Sequence, residues 1–144
     1  METRQRADFL KDEYIMLQQF YEDIDSKGLT IKSWAITVGL AVIGTGLVQD
    51  NALILWAGFA ASLMFWYLEA HWRGLSHFFS TRIQDIERIF QGDKLDTDIP
   101  LQVYSTWDVE YQRVGDQTLR YMFKPFTILP HAAIAILILV LLIQ

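Results

Sequence analysis

Glu69 interrupts an otherwise apolar run over residues 52–68 and is followed closely by His71 and Arg73. A carboxylate at the edge of hydrocarbon needs a cation, a proton or water beside it. Lys32 enters a second apolar run at a comparable depth, and Arg73 lies one helical turn from Glu69. Two chemistries fit this group of Lys32, Glu69, Arg73 and His71. One is an interfacial ion pair that fixes helix register. The other is an ion- or proton-handling carboxylate facing a cavity.

A second pattern runs through residues 31–48, where Ser33, Thr37, Ala41 and Thr45 recur every four residues. Ala35 and Gly39 occupy an adjoining line, with Gly44 and Gly46 above them. Small residues at this spacing let helix backbones approach closely, and hydroxyls bond across helices. The row reads either as a packing face or as the lining of a narrow hydrated path in an oligomer. Glu22, Asp23 and Asp25 form an acidic cluster where an N-terminal helix is expected to end. The helix macrodipole disfavours negative charge there. Asp25 or Ser26 is therefore expected to cap the next helix, or the cluster forms an acidic ring at the mouth of an assembly.

Other chemistries lack their residues. The chain has no cysteine, which removes disulfides, thiolate metal sites and thiol nucleophiles. It holds no H-E-x-x-H, G-x-S-x-G or glycine-rich phosphate loop. The run Asp93-Lys94-Leu95-Asp96-Thr97-Asp98 lacks the glycine and closing glutamate of a calcium loop, so it reads as a solvated acidic loop within residues 92–100. His71 and His77 are six residues apart and point to different sides of a helix. No enzyme activity, cofactor or metal is expected. With 52% hydrophobic residues, 20% charged residues and a net charge of −5, the chain fits neither a disordered segment nor a nucleic-acid binder.

The elements that must position these groups are membrane helices. Three blocks, at about 31–48, 52–70 and 125–144, have the length and apolarity that a bilayer core of about 30 Å demands. Gln49, Asp50 and Asn51 alone separate the first two, which makes them a tight antiparallel hairpin. Trp34, Trp56, Trp66, Tyr67 and Trp72 fall near the span ends, as interfacial aromatics do. All twelve Lys and Arg lie before residue 33 or between residues 73 and 124. The positive-inside rule then puts the N-terminus in the cytoplasm and the C-terminus on the far side of a plasma (cell inner) membrane. No leader-like segment precedes the first span, so insertion is expected to rely on the spans.

Two segments project on the same side. Residues 1–30 carry Leu10, Tyr14, Leu17, Tyr21 and Ile24 at spacings of three and four, the seam of an amphipathic helix. In residues 72–124, Trp72, Leu75, Phe79, Ile83, Ile86 and Phe90 continue the second span as one long helix that Gly92 ends. Trp107, Tyr111, Val114 and Tyr121 suggest a further helix, weakened at Gly115. The acidity of the N-terminal segment opposes anionic lipid, so these helices are expected to pack on each other. Pro130 either starts the third span or kinks a helix begun at Pro125. The sequence thus reads as an all-α integral membrane protein: three transmembrane helices, a tight hairpin of the first two, and amphipathic cytoplasmic helices. Its expected partners are the lipid bilayer and further copies of itself, with a cytoplasmic protein as another candidate. The expected function is a homo-oligomeric channel with the first span nearest the axis; the alternative is a non-conducting scaffold.

Overall fold

The computed structural model describes residues 3–92 and 99–143, so the acidic run at 93–98 lies outside the described residues. Among the described residues the chain is all-helical: α1 (Thr3–Gln49), α2 (Ala52–Gln91), α3 (Val103–Val114), α4 (Thr118–Met122) and α5 (Pro125–Ile143). Three of them, α1, α2 and α5, are long and apolar enough to cross a membrane. Within those stretches Leu40, Leu53, Met64, Leu129 and Ile136 are all exposed on the outside of the bundle. An apolar belt of this extent is costly in water and natural in lipid.

The α1–α2 turn follows from its residues. Asp50 takes a left-handed conformation at φ 48°, and Asn51 caps α2 by accepting a hydrogen bond from the Leu53 amide at 3.0 Å. The two helices run antiparallel from there. Close approach is set by small residues: an added Cβ at Gly58 would collide with Val42, and one at Gly39 would lie 2.8 Å from Ile134 Cγ2. Around these contacts Ile43, Leu55, Ile134 and Ile138 form a core that joins the apolar stretches of α1, α2 and α5.

The other half of the molecule, built from the more polar ends of α1 and α2, has its own core. Leu10 and Leu17 of α1 meet Ile83 and Ile86 of α2, flanked by Tyr14, Phe79, Ile89 and Val103. The seam residues Leu10, Leu17 and Ile24 are indeed buried, whereas Tyr21 is exposed. α2 closes on Gly92 at φ 101°, whose amide donates to the Arg88 and Ile89 carbonyls.

Two sequence expectations change. The N-terminal helix does not end near Asp25; α1 is continuous through it. Asp25 binds the Arg73 side chain, and Ser26 offers its carbonyl to Thr30 Oγ1, so neither caps a helix. No helix terminus stands beside the acidic cluster, and the dipole conflict vanishes. The segment after the loop is two helices rather than one, because Gly115 takes φ 67° and Asp116 turns the chain into α4. Of the two readings of Pro130, the structure takes the second: α5 begins at Pro125 and holds Pro130 inside it.

Candidate functional site

Glu69 is wholly buried, at 0% exposure, at the junction of α1, α2 and α5. Three side chains converge on it. Arg73 Nε donates to Oε1 at 2.9 Å from one turn along α2. Lys32 Nζ reaches the same oxygen at 3.2 Å from α1. His131 Nε2 lies 2.8 Å from Oε2, coming from α5. With Glu69 ionised, that contact requires the proton on His131 Nε2, since a carboxylate only accepts. Taking a lone carboxylate out of water costs several kcal/mol, and partners on both oxygens offset that cost.

The cluster extends in two directions. Arg73 also donates to Asp25 Oδ1 at 2.6 Å, and the Asp25 side chain is half exposed. A chain of polar contacts therefore links the surface, through Arg73 and Glu69, to the buried imidazole. Lys32 Nζ donates to the Phe126 carbonyl at 2.6 Å. That carbonyl lies four residues before Pro130, which has no N–H to give it. The proline thus opens an acceptor that the lysine fills. Deep in the bundle, His131 Nδ1 and Thr127 Oγ1 are buried without a hydrogen-bond partner among the described residues.

No family model, curated protein or solved structure matches this chain.

The remaining sequence-proposed residues fall into separate places. His71 does not join the Glu69 cluster: its Nδ1 lies 3.1 Å from Thr118 Oγ1, and its ring stacks on Tyr67. Two residues along a helix turn a side chain about 200°, so His71 faces away from Glu69. His131 takes the role instead. Its signal in the sequence was its position just after Pro130, at the depth of Glu69.

The small-residue row of α1 splits. Ala35 and Gly39 are buried, Gly39 against Ile134 of α5, so this line is a packing face within the chain. Ser33, Thr37 and Ala41 are exposed on the opposite side, and Thr45 is exposed on a flank. The hydroxyls of Ser33 and Thr37 donate back to the Leu29 and Ser33 carbonyls at 3.0 and 2.9 Å, which leaves their oxygens as outward-facing acceptors. In the acidic cluster, Glu22 and Asp23 are exposed and only Asp25 is tied down.

A second buried pair was not foreseen. Arg82 and Glu13 are each 1% exposed, with Nε to Oε1 at 2.9 Å and Nη2 to Oε2 at 3.1 Å. Glu13 Oε2 also accepts from the Leu101 amide at 2.8 Å, and Arg82 donates to the Ile99 carbonyl at 3.0 Å. The pair pins residues 99–101 onto α1 and α2. Nothing in local spacing joins residues 13 and 82, so periodicity alone does not reveal it.

Proposed function

We propose that this protein assembles as a symmetric homo-oligomer in the membrane and conducts small cations, with α1 nearest the axis. The observation that carries this reading is the exposed polar ridge of α1. At about 100° per residue, Asp12, Gln19, Ser26, Thr30, Thr37, Ala41 and Gly44 fall on one side, opposite the buried Leu10, Leu17, Ala35 and Gly39. Inside a bilayer such a ridge gains little from lipid, because small residues leave poor dispersion contacts. A neighbouring copy recovers those contacts, and cyclic closure rings the axis with the ridge. Its hydroxyl hydrogens are engaged with the helix backbone, so the oxygens face outward as acceptors suited to cations. The ridge continues below through Asp8 and Asp12 rather than through bases. Thr30, Ser33, Trp34 and Thr37 also line a notch of about 300 Å³ that a partner side chain would fill.

The proposed topology keeps residues 1–30 and 73–124 in the cytoplasm and the α1–α2 turn on the far side of the plasma membrane. The cysteine-free chain suits impermeant thiol labelling, and labelling of a cysteine at position 50 from the cytoplasmic side alone would reject it.

The deciding experiment is reconstitution into liposomes with cation and anion flux measured beside oligomeric state in nanodiscs. Cation flux from a closed oligomer, lost in Thr37→Leu and Ala41→Leu, is expected. A monodisperse monomer would overturn the assembly. An oligomer without flux would favour a second reading, a membrane scaffold. That reading draws on α3, whose rings of Tyr104, Trp107 and Tyr111 stack in a row with Tyr104 76% exposed. Exposed stacked aromatics of this kind are common anchors at protein interfaces.

A further inference from the structure

Directly beneath the apolar stretches of α1 and α2, α3 closes a cleft of about 460 Å³. Its walls are aromatic: Trp72 and Phe79 from α2, Trp107 from α3 and Phe20 from α1. The charged side chains lining it are Asp23 and Lys27, one helical turn apart on α1. The cleft has a direction. Lys27 and Trp72 stand at its membrane end, with Lys27 Nζ 5.1 Å from the Trp72 ring centre. The Phe20 and Phe79 rings, 6.0 Å apart, close the end away from the membrane. Lys27 lies five residues before Lys32, about 7.5 Å along the helix, which is headgroup depth.

We propose that this cleft binds the zwitterionic headgroup of a phospholipid, with its phosphate on Lys27 and its ammonium on Asp23 among the aromatic faces. The order of charges matches the lipid. In a bilayer the phosphate lies nearer the hydrocarbon and the ammonium farther out, as Lys27 and Asp23 do. An ammonium is attracted to the faces of Trp and Phe and to a carboxylate together. Lys27 retains N–H donors for a phosphate beyond its contact with Trp72. A purely anionic headgroup would meet the Asp23 carboxylate where its ammonium should be. The volume suits a headgroup with its glycerol, and a mostly apolar wall with few polar groups is the usual make-up of a small-ligand site. The acyl chains stay in the bilayer. The site rests on the membrane placement of α1 and α2 and does not need the assembly to conduct.

The test is native mass spectrometry of the full chain in detergent, offered phosphatidylethanolamine and phosphatidylglycerol of equal chain length. The wild type is expected to retain one phosphatidylethanolamine per chain with about tenfold preference. Asp23→Asn should abolish the preference, while Lys27→Met should weaken both lipids about fivefold to tenfold. Both positions are exposed, so circular dichroism should report unchanged helicity. Equal retention by the wild type, a preference for phosphatidylglycerol, or a preference that survives Asp23→Asn would overturn the site. Displacement by an equal concentration of free phosphoethanolamine would overturn the lipid as its occupant. Carbonate extraction of native membranes separates the two failures: release of the chain rejects membrane placement itself, whereas absence of flux leaves the lipid site standing.

Discussion

Lys32 Nζ lies 2.6 Å from the carbonyl oxygen of Phe126, the acceptor that Pro130 leaves without its helical donor. The same ammonium sits 3.2 Å from Glu69. One cation thus answers both a proline-opened backbone group and a buried carboxylate, and it ties α1 to α2 and α5 at a single point. The relationship gives a specific expectation. Lys32→Met should destabilise the protein by about 3 kcal/mol, the low end for removing one partner of a buried pair, because the lysine is partly exposed. Adding Pro130→Ala should return about 1 kcal/mol, since the substitution restores a backbone N–H for the Phe126 carbonyl. Unfolding in mixed micelles measures both; strict additivity would reject the coupling.

Glu69 and His131 should couple as well. Glu69→Ala leaves Lys32 and Arg73 without their shared anion and should cost about 3–5 kcal/mol. His131→Ala should cost less, because both cations still face the carboxylate. A double-mutant cycle is expected to give a non-zero interaction of about 0.5–3 kcal/mol. His71→Ala, in the same background, should be additive with Glu69→Ala, because His71 contacts Thr118 and Tyr67 instead.

The Glu13–Arg82 pair makes an opposite pair of expectations. Glu13→Ala takes the carboxylate from the buried Arg82 guanidinium and the acceptor from the Leu101 amide, and should cost about 3–5 kcal/mol. Replacing both residues by apolar ones of similar volume, Glu13→Met with Arg82→Leu, should recover only part of that loss, since the Leu101 amide and Ile99 carbonyl also lose their partners. Tryptophan fluorescence during denaturation reports the difference, since Trp107 sits on the helix that follows this junction.

Glycine and hydroxyl positions of α1 should separate folding from assembly. Gly39→Leu must displace Ile134 inside the chain and should lower stability of the single subunit. Thr37→Leu and Ala41→Leu lie on the exposed ridge and should leave subunit stability within about 0.5 kcal/mol while changing oligomer size. Unfolding curves and light scattering on the same samples check the two effects. Loss of folding in Thr37→Leu would show that the ridge is packed within the chain.

Among the described residues of α3 and the turn into α4, two carboxyls respond to acid. The hydrogen bond from Arg113 holds Glu110 below its ordinary range, and Thr118 does the same for Asp116. Their folded values lie below the unfolded ones. Their contribution is therefore complete at neutral pH and is lost as pH falls through those lowered values. Arg113 and Asp116 are exposed, so solvent screens both interactions and together they should contribute at most about 1 kcal/mol. Near-ultraviolet circular dichroism should report loosening around Trp107 once the pH falls below the ordinary carboxylate range, and Glu110→Gln should weaken the pH response.

Much of the architecture follows from local order in the sequence. Three uninterrupted apolar runs demand three long helices, the short Gln49-Asp50-Asn51 link forces the first two to run antiparallel, and Gly92 supplies the left-handed stop that ends α2. The buried carboxylate with Lys32 and Arg73 beside it is legible for the same reason, because depth along a helix is counted in residues. Periodicity fixes the faces of each helix but not which face meets which neighbour. Only the packing of α5 against α1 and α2 brings His131 to Glu69, draws Gly39 into the core and leaves Thr37 outside. Only the fold joins Glu13 to Arg82, 69 residues apart. The continuity of α1 through Asp25 was likewise settled across helices, where Arg73 claims the carboxylate that a shorter helix would have used as its cap.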